Sequence, residues 1–133
     1  MKGRLYDHID LRVRNIARAR KFYRPVMKAL GFTKYSSNPW WTTFSAPRRA
    51  KELPAFFGFT RDPKHKPNGT RIAFWAESRA EVNRIARVAR KAGAKNIEGP
   101  EPYSPDEPNY YAVFFEDPEG NKLEVCYRTP SAG

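Results

Sequence analysis

The chain has 133 residues, one cysteine and a formal net charge of +11 from 25 basic and 14 acidic side chains. This length predicts one compact domain, and the single Cys126 excludes an intrachain disulfide. The sequence has neither an apolar run that could span a bilayer nor a signal-peptide pattern, so we expect a cytoplasmic protein with no membrane partner.

The first half begins with a predicted strand and helix. Residues 5–13 alternate apolar and polar side chains, which is the period of a half-buried strand. An apolar stripe at helical spacing follows Asn15 and ends at Gly31, two residue types that cap helices at these ends. Pro25 predicts a kink or one loose turn, because proline lacks a backbone donor.

Two more strands complete the first half. Residues 40–45 and 53–60 are rich in aromatic and threonine side chains and predict strands, with a basic loop over 47–52 between them. Residues 61–70 contain two prolines and predict a polar connection to the second half.

The second half repeats this order. Residues 71–76 predict a strand, and Ser78 with Glu81 forms a capping box that opens a helix ending at Gly93. Residues 99–109 are rich in proline and predict a loop.

A hairpin closes the chain. Asp117-Pro118-Glu119-Gly120 has the composition of a tight turn and joins predicted strands over 110–116 and 122–127. Glu124 lies on the second of these strands, on the face opposite to that of its apolar neighbours.

The two halves form an internal repeat. Sliding the second half back by 63 positions places Arg71 on His8 and Ser78 on Asn15. A repeat of about 60 residues is too long for a solenoid unit and predicts two copies of one supersecondary motif. We expect module one over about residues 4–62 and module two over about 69–128, within a single domain of residues 1–133.

The sheet face that the helices leave open is the candidate site. Consistent alternation places seven residues there: His8, Asp10, Gly58, Arg71, Trp75, Glu124 and Cys126. We expect Cys126 to be a small buried residue rather than a nucleophile, because no activating base lies beside it in sequence.

Four segments in order carry a family resemblance: His8-Ile9-Asp10-Leu11-Arg12-Val13, the stretch from Phe22-Tyr23 to Leu30-Gly31-Phe32, Gly69-Thr70-Arg71-Ile72-Ala73-Phe74, and Tyr110-Tyr111-Ala112 leading to Asp117-Pro118-Glu119-Gly120-Asn121 and Glu124. Together they resemble the vicinal oxygen chelate superfamily, which contains glyoxalase I, bleomycin resistance proteins and extradiol dioxygenases. The resemblance implies an α+β fold of paired βαβββ modules that form a cup-shaped mixed sheet. It also implies a small-molecule ligand in the cup and, in many members, a homodimer.

In metal-dependent members, the resemblance implies ligands from the first and last strands of each module, which here are His8, Gly58, Arg71 and Glu124. His8 and Glu124 could bind a divalent zinc, nickel, iron or manganese ion. Gly58 has no side chain, and the Arg71 guanidinium stays protonated. The sequence therefore predicts a degenerate metal site and no cofactor.

Arg71 suggests what replaces the metal. We expect its guanidinium to pair with the Glu124 carboxylate, because a buried carboxylate needs a partner. The cup would then hold a partly apolar molecule between Trp75 and Tyr111, with Arg71 and His8 available to an anionic or carbonyl group.

The expected ligand contacts also include Asp10 and Gly58. Of the tyrosine pair, we expect Tyr110 to pack at a sheet edge and Tyr111 to reach the ligand.

Two alternatives stay open. A lactoylglutathione lyase-like or dioxygenase-like metal enzyme would use His8 and Glu124 with further ligands, and in an enzyme His8, Glu124 and Arg71 would be catalytic. An antibiotic-sequestering resistance protein would need only an aromatic cup.

The positive charge is concentrated on the two helices, where basic residues alternate with the apolar stripe. This pattern is typical of solvated helix faces, and no nucleic-acid-binding motif accompanies it. We therefore do not expect a nucleic acid partner.

Overall fold

A computed structural model describes residues 5–47 and 53–130 of the chain. Its contacts divide the chain into two compact units, Met1–His65 and Lys66–Gly133. Each unit is a βαβββ module with a four-stranded mixed sheet, which confirms the predicted α+β class. Most of the predicted basic loop, residues 48–52, lies outside the described residues.

The first unit contains β1 (His8–Val13), α1 (Ile16–Leu30), β2 (Lys34–Ser37), β3 (Trp41–Ser45) and β4 (Phe56–Arg61). Its strand order is β1-β4-β3-β2, with β1 parallel to β4 and the other neighbours antiparallel. The sequence does not predict β2, because this short edge strand is mostly exposed and shows no alternation of apolar residues.

The second unit contains β5 (Arg71–Trp75), α2 (Arg79–Ala92), β6 (Lys95–Ser104), β7 (Glu107–Glu116) and β8 (Lys122–Arg128). Its order, β5-β8-β7-β6, repeats that of the first unit. The prediction of a loop over residues 99–109 is wrong, because β6 and β7 form a hairpin through most of that segment. β6 is an edge strand, where proline is tolerated since one side of the backbone needs no partner.

Both helices begin and end at the predicted residues. The Asn15 side chain accepts a hydrogen bond from the Arg18 backbone N–H at 2.9 Å, and Ser78 accepts one from the Glu81 N–H at 3.0 Å. Gly31 and Gly93 end the helices at φ 103° and 108°, where glycine is favoured because it has no Cβ. α1 runs without interruption through Pro25. Among the described residues, neither helix has the length and apolar character needed to cross a bilayer.

Each helix packs on one face of its own sheet. In the first unit, the fully buried Tyr23 ring lies with its centroid 5.4 Å from that of Phe57 and 5.2 Å from that of Phe59. In the second, Val82 and Ile85 are buried on α2, and so are the odd-numbered residues of β7 and β8 that face this helix: Val113, Phe115, Leu123 and Val125. Each large apolar side chain buried this way contributes about 1.5–3 kcal/mol to stability. In each unit, the face of the sheet opposite its helix is called the open face.

Candidate functional site

The register of the second unit decides which side chains share its open face. Ala73 on β5 and Phe114 on β7 pair with Glu124 on β8 from either side. Paired residues project to the same face, so the even-numbered residues of β7 and β8 lie on the face opposite α2. Several polar and aromatic side chains share it: Arg71, Trp75, Tyr110, Phe114, Glu124 and Arg128.

A buried turn fixes the start of β8. The Asp117 carboxylate is 1% exposed and accepts backbone hydrogen bonds from Glu119 and Asn121, both at 2.9 Å. Gly120 completes the turn at φ 100°, a conformation that side chains disfavour. The predicted tight turn therefore sets the β7–β8 register, in which Glu116 pairs with Lys122 and Phe114 with Glu124.

Glu124 is a buried carboxylate at the base of this face. It is 4% exposed, and its Oε2 atom accepts a hydrogen bond from the Tyr110 hydroxyl. Burial, and then this hydrogen bond, raises the pKa of Tyr110 above its ordinary value, so the phenol stays a neutral donor at physiological pH. Glu124 thus has a donor where a solvated carboxylate would have water.

Arg71 does not pair with Glu124, contrary to the prediction. Its guanidinium carbon lies 4.9 Å from the centre of the Phe114 ring, a cation–π arrangement. Because β8 separates β5 from β7, the Arg71 side chain crosses above β8 to reach this ring. Arg71 is exposed, so its N–H edges are accessible to a ligand.

Aromatic and basic side chains lie around Tyr110, the hydrogen-bond donor to Glu124. The Tyr103 ring stacks on the Tyr110 ring with centroids 4.9 Å apart, and the Arg128 guanidinium carbon lies 5.6 Å from the centre of the Tyr110 ring. Trp75 is 51% exposed and lines a groove of about 890 Å³ together with Tyr110, Arg128 and residues 106–109. Exposed aromatic surface of this kind fits a partly apolar ligand.

Tyr111 lies on the opposite side of the sheet. Its hydroxyl donates to the Asn83 Oδ1 atom of α2 at 2.6 Å, and the Arg79 guanidinium lies 4.8 Å from its ring centre. The positions of the two tyrosines are therefore the reverse of the prediction: Tyr110 faces the open side, and Tyr111 is held against the helix. The β7–β8 turn carried this signal, because its register gives Tyr110 the same parity as Glu124.

The open face of the first unit carries His8. Its ring stacks on Phe56 with centroids 4.2 Å apart, and its Nδ1 lies 2.8 Å from an Asp7 carboxylate oxygen. Asp10 is held by the Arg12 guanidinium and the Thr60 hydroxyl, both at 2.9 Å. His8 and Asp10 border a pocket of about 380 Å³ that is also lined by Trp41, Thr43, Phe56, Gly58 and Thr60.

Gly58 is needed for close strand packing. A Cβ at this position would lie 2.9 Å from the Thr42 carbonyl oxygen and 3.2 Å from the Thr43 methyl group. β1 pairs Asp10 with Gly58, while β5 pairs Ala73 with Glu124, and Asp10 and Ala73 are 63 positions apart. Gly58 and Glu124 therefore hold corresponding positions in the two modules.

Cys126 is 8% exposed, as expected for a small buried residue. Burial, and then the Glu124 charge, raises the pKa of its thiol, which keeps the unreactive protonated form at neutral pH. Over residues 5–47 and 53–130, no group of three or more His, Cys, Asp or Glu side chains is placed to hold a metal ion.

The fold matches that of proteins with solved structures. A glyoxalase/bleomycin resistance protein from Albidiferax ferrireducens T118 superimposes with a TM-score of 0.74 at 23% identity, covering 93% of this chain and 98% of that one. A fosfomycin resistance protein from Listeria monocytogenes superimposes with a TM-score of 0.67 at 16% identity, covering 97% of this chain and 96% of that one. A glyoxalase/bleomycin resistance protein/dioxygenase family enzyme from Burkholderia phytofirmans PsJN has a TM-score of 0.67 at 15% identity, covering 93% of this chain and 100% of that one.

At these identities the structural matches establish the fold alone. No protein of curated function gives a significant sequence match. Residues 5–125, however, match the Glyoxalase/Bleomycin resistance protein/Dioxygenase superfamily, and this match covers most of the chain. The chain therefore belongs to the Glyoxalase/Bleomycin resistance protein/Dioxygenase superfamily.

Proposed function

We propose that this protein binds a small, partly apolar molecule with an anionic or carbonyl group, without a catalytic metal. The observation that carries the proposal is the open face of the second unit, where exposed Arg71 and Trp75 lie on the same side as buried Glu124. A guanidinium binds carboxylate, phosphate or carbonyl oxygens, and an indole ring contacts apolar groups.

The donor chemistry supports a degenerate metal site. Of the positions that the resemblance assigns to ligands, Gly58 offers no donor and Arg71 offers a permanent cation. The Glu124 carboxylate already accepts a hydrogen bond from Tyr110. A site for a divalent ion needs three or four protein ligands in most proteins, so these residues do not fit one.

Different residues of the open face bind different parts of the ligand. Arg71 holds the anionic or carbonyl group, and Trp75 contacts the apolar part. Tyr110 takes the role expected of Tyr111, because its ring and hydroxyl lie on the open side. Buried Glu124 positions the Tyr110 hydroxyl by accepting its hydrogen bond.

The first unit offers a second set of groups. His8 and Asp10 stay candidate ligand contacts, and both line the pocket above Gly58. Three features stay predictions from the sequence: a single domain, one cup that both open faces share, and a homodimer.

Metal analysis tests the degenerate site against the lyase or dioxygenase alternative. Purified protein should contain substoichiometric zinc, nickel, iron and manganese, and adding each ion should leave the thermal unfolding midpoint unchanged. One tightly held ion per chain would contradict the proposal and favour the metal-dependent enzyme.

Ligand binding tests the role of Arg71 directly. Phenylpyruvate is a suitable probe, because it combines an aromatic ring, a carbonyl and a carboxylate, and binding is measured by isothermal titration calorimetry. Loss of a hydrogen bond to a charged group costs about 1.5–3 kcal/mol, so Arg71→Gln should weaken binding by roughly 10-fold or more.

Two variants serve as controls for this titration. Arg87→Gln removes the same charge from an exposed position on α2, and Tyr111→Phe removes a hydroxyl from the helix side of the sheet. Neither should change the affinity for phenylpyruvate. Absence of saturable binding to the wild type, or equal losses in Arg71→Gln and Arg87→Gln, would refute the proposal.

A further inference from the structure

A basic groove lies in the first unit between α1 and the edge strand β2. Its volume is about 470 Å³, and it is lined by Ala17, Arg20, Lys21, Arg24, Pro25 and Tyr35. The groove is on the helix-covered side of the sheet, whereas His8 and Asp10 project to the opposite side. It is therefore separate from the open sheet face.

One arginine of the groove is anchored by hydrogen bonds. The Arg20 Nη1 atom donates to the Ser37 Oγ atom at 2.9 Å, and Ser37 is in turn 2.8 Å from the hydroxyl of Thr42. Thr42 is fully buried on β3, so this chain of contacts ties the guanidinium to the sheet. A single N–H group is used in this way, which leaves the rest of the planar fork for a ligand.

The second arginine is held by stacking. The Arg24 guanidinium carbon lies 4.5 Å from the centre of the Tyr35 ring, and that ring packs against buried Phe44 with centroids 5.5 Å apart. Stacking uses the flat face of a guanidinium and leaves its N–H edge available. Both arginines are thus positioned before any ligand binds, which reduces the entropy lost on binding.

The charge of this surface is of one sign. α1 carries five basic residues and no acidic residue over Ile16–Leu30. Arg20 and Arg24 are one turn apart, and like charges at this spacing destabilise a helix by about 0.2–0.5 kcal/mol. Among the described residues, Arg20, Lys21 and Arg24 have no acidic partner within ion-pair distance.

We propose that this groove binds the phosphate group of a small molecule. Arg20 and Arg24 present guanidinium edges that match phosphate oxygens bidentately, and Lys21 adds a third positive charge. The volume falls in the range of small-molecule sites, about 300–1,000 Å³. An anion here would also relieve the repulsion between the two arginines. This site is independent of the function proposed for the open face.

Calorimetric titration of the full chain with inorganic pyrophosphate tests the site. We expect one pyrophosphate per chain, and Arg20→Gln or Arg24→Gln should each weaken binding by about tenfold or more. Arg87→Gln on α2 loses the same charge outside the groove and should weaken it less than about threefold. Lys21→Gln removes an exposed charge of the groove, and it tests the site if the other variants unfold.

Two further probes separate a phosphate site from a general positive field. AMP should bind at least as tightly as inorganic phosphate, and pyrophosphate should compete with it. If inorganic phosphate binds but AMP does not, the groove does not accept the phosphate group of a small organic molecule, and the proposal is overturned. The proposal is also overturned if pyrophosphate does not bind, or if a single-stranded oligonucleotide binds and Arg87→Gln weakens it as much as Arg20→Gln.

Discussion

The hydrogen bond between Tyr110 and Glu124 can be tested against a neighbouring tyrosine. Tyr110→Phe leaves the 4% exposed carboxylate without this donor, and loss of a hydrogen bond to a charged group costs about 1.5–3 kcal/mol. Tyr111→Phe removes a neutral hydrogen bond to Asn83, for which the cost is about 0.5–1.5 kcal/mol. The first variant should therefore be less stable than the second by roughly 1 kcal/mol.

Urea unfolding measures this difference. With a slope of about 1–3 kcal/mol per molar urea, a difference of roughly 1 kcal/mol moves the midpoint by about 0.3–1 M. Adding Glu124→Gln completes a double-mutant cycle, in which Tyr110 and Glu124 should couple by about 0.5 kcal/mol or more. Equal midpoints for the two tyrosine variants, or strictly additive effects in the cycle, would refute the role assigned to Tyr110.

Three other predictions concern packing and ionisation. Gly58→Ala should destabilise the chain by about 1–3 kcal/mol in urea unfolding, because its Cβ would meet the Thr42 carbonyl oxygen at 2.9 Å, whereas Gly69→Ala meets nothing within 4 Å and should be near neutral. The Tyr110 pKa is raised above its ordinary value of 10.0, so its contribution to stability is complete below that pH and is lost progressively as the pH rises from there toward the raised pKa. The free energy of unfolding should accordingly fall as the pH rises above about 10, and less so in Tyr110→Phe. Iodoacetamide should label Cys126 quickly in the urea-unfolded chain and slowly in the native chain, and equal rates would contradict its burial.

Local signals predicted the helices well because their ends are fixed by short-range chemistry. Asn15, Gly31, Ser78 and Gly93 cap the helices through contacts within a few residues, so the sequence alone identifies them. The strands at the sheet edges carry a weaker signal. β2 is mostly exposed, and the prolines of β6 resemble a loop because an edge position removes the usual penalty for proline.

The site was harder to predict because it depends on register and on side-chain reach. The parity of β8 placed Glu124 on the open face, and the turn at Asp117 extends that parity to Tyr110 on β7. Charge complementarity alone favoured Arg71 as the partner of Glu124. Which side chain contacts Glu124 also depends on the length of each neighbouring side chain and on its distance from the carboxylate, and both are set by the tertiary structure.

The observed partners make the open face better suited to binding an anion than the predicted pair would be. An Arg71–Glu124 ion pair would engage the N–H donors of the guanidinium and leave fewer of them for a ligand. Because the Tyr110 hydroxyl donates to the Glu124 carboxylate instead, Arg71 rests on the Phe114 ring and its N–H groups are not used by Glu124. A cation held by an aromatic face can still direct its N–H edges toward an anionic or carbonyl group, which is what the proposed function requires.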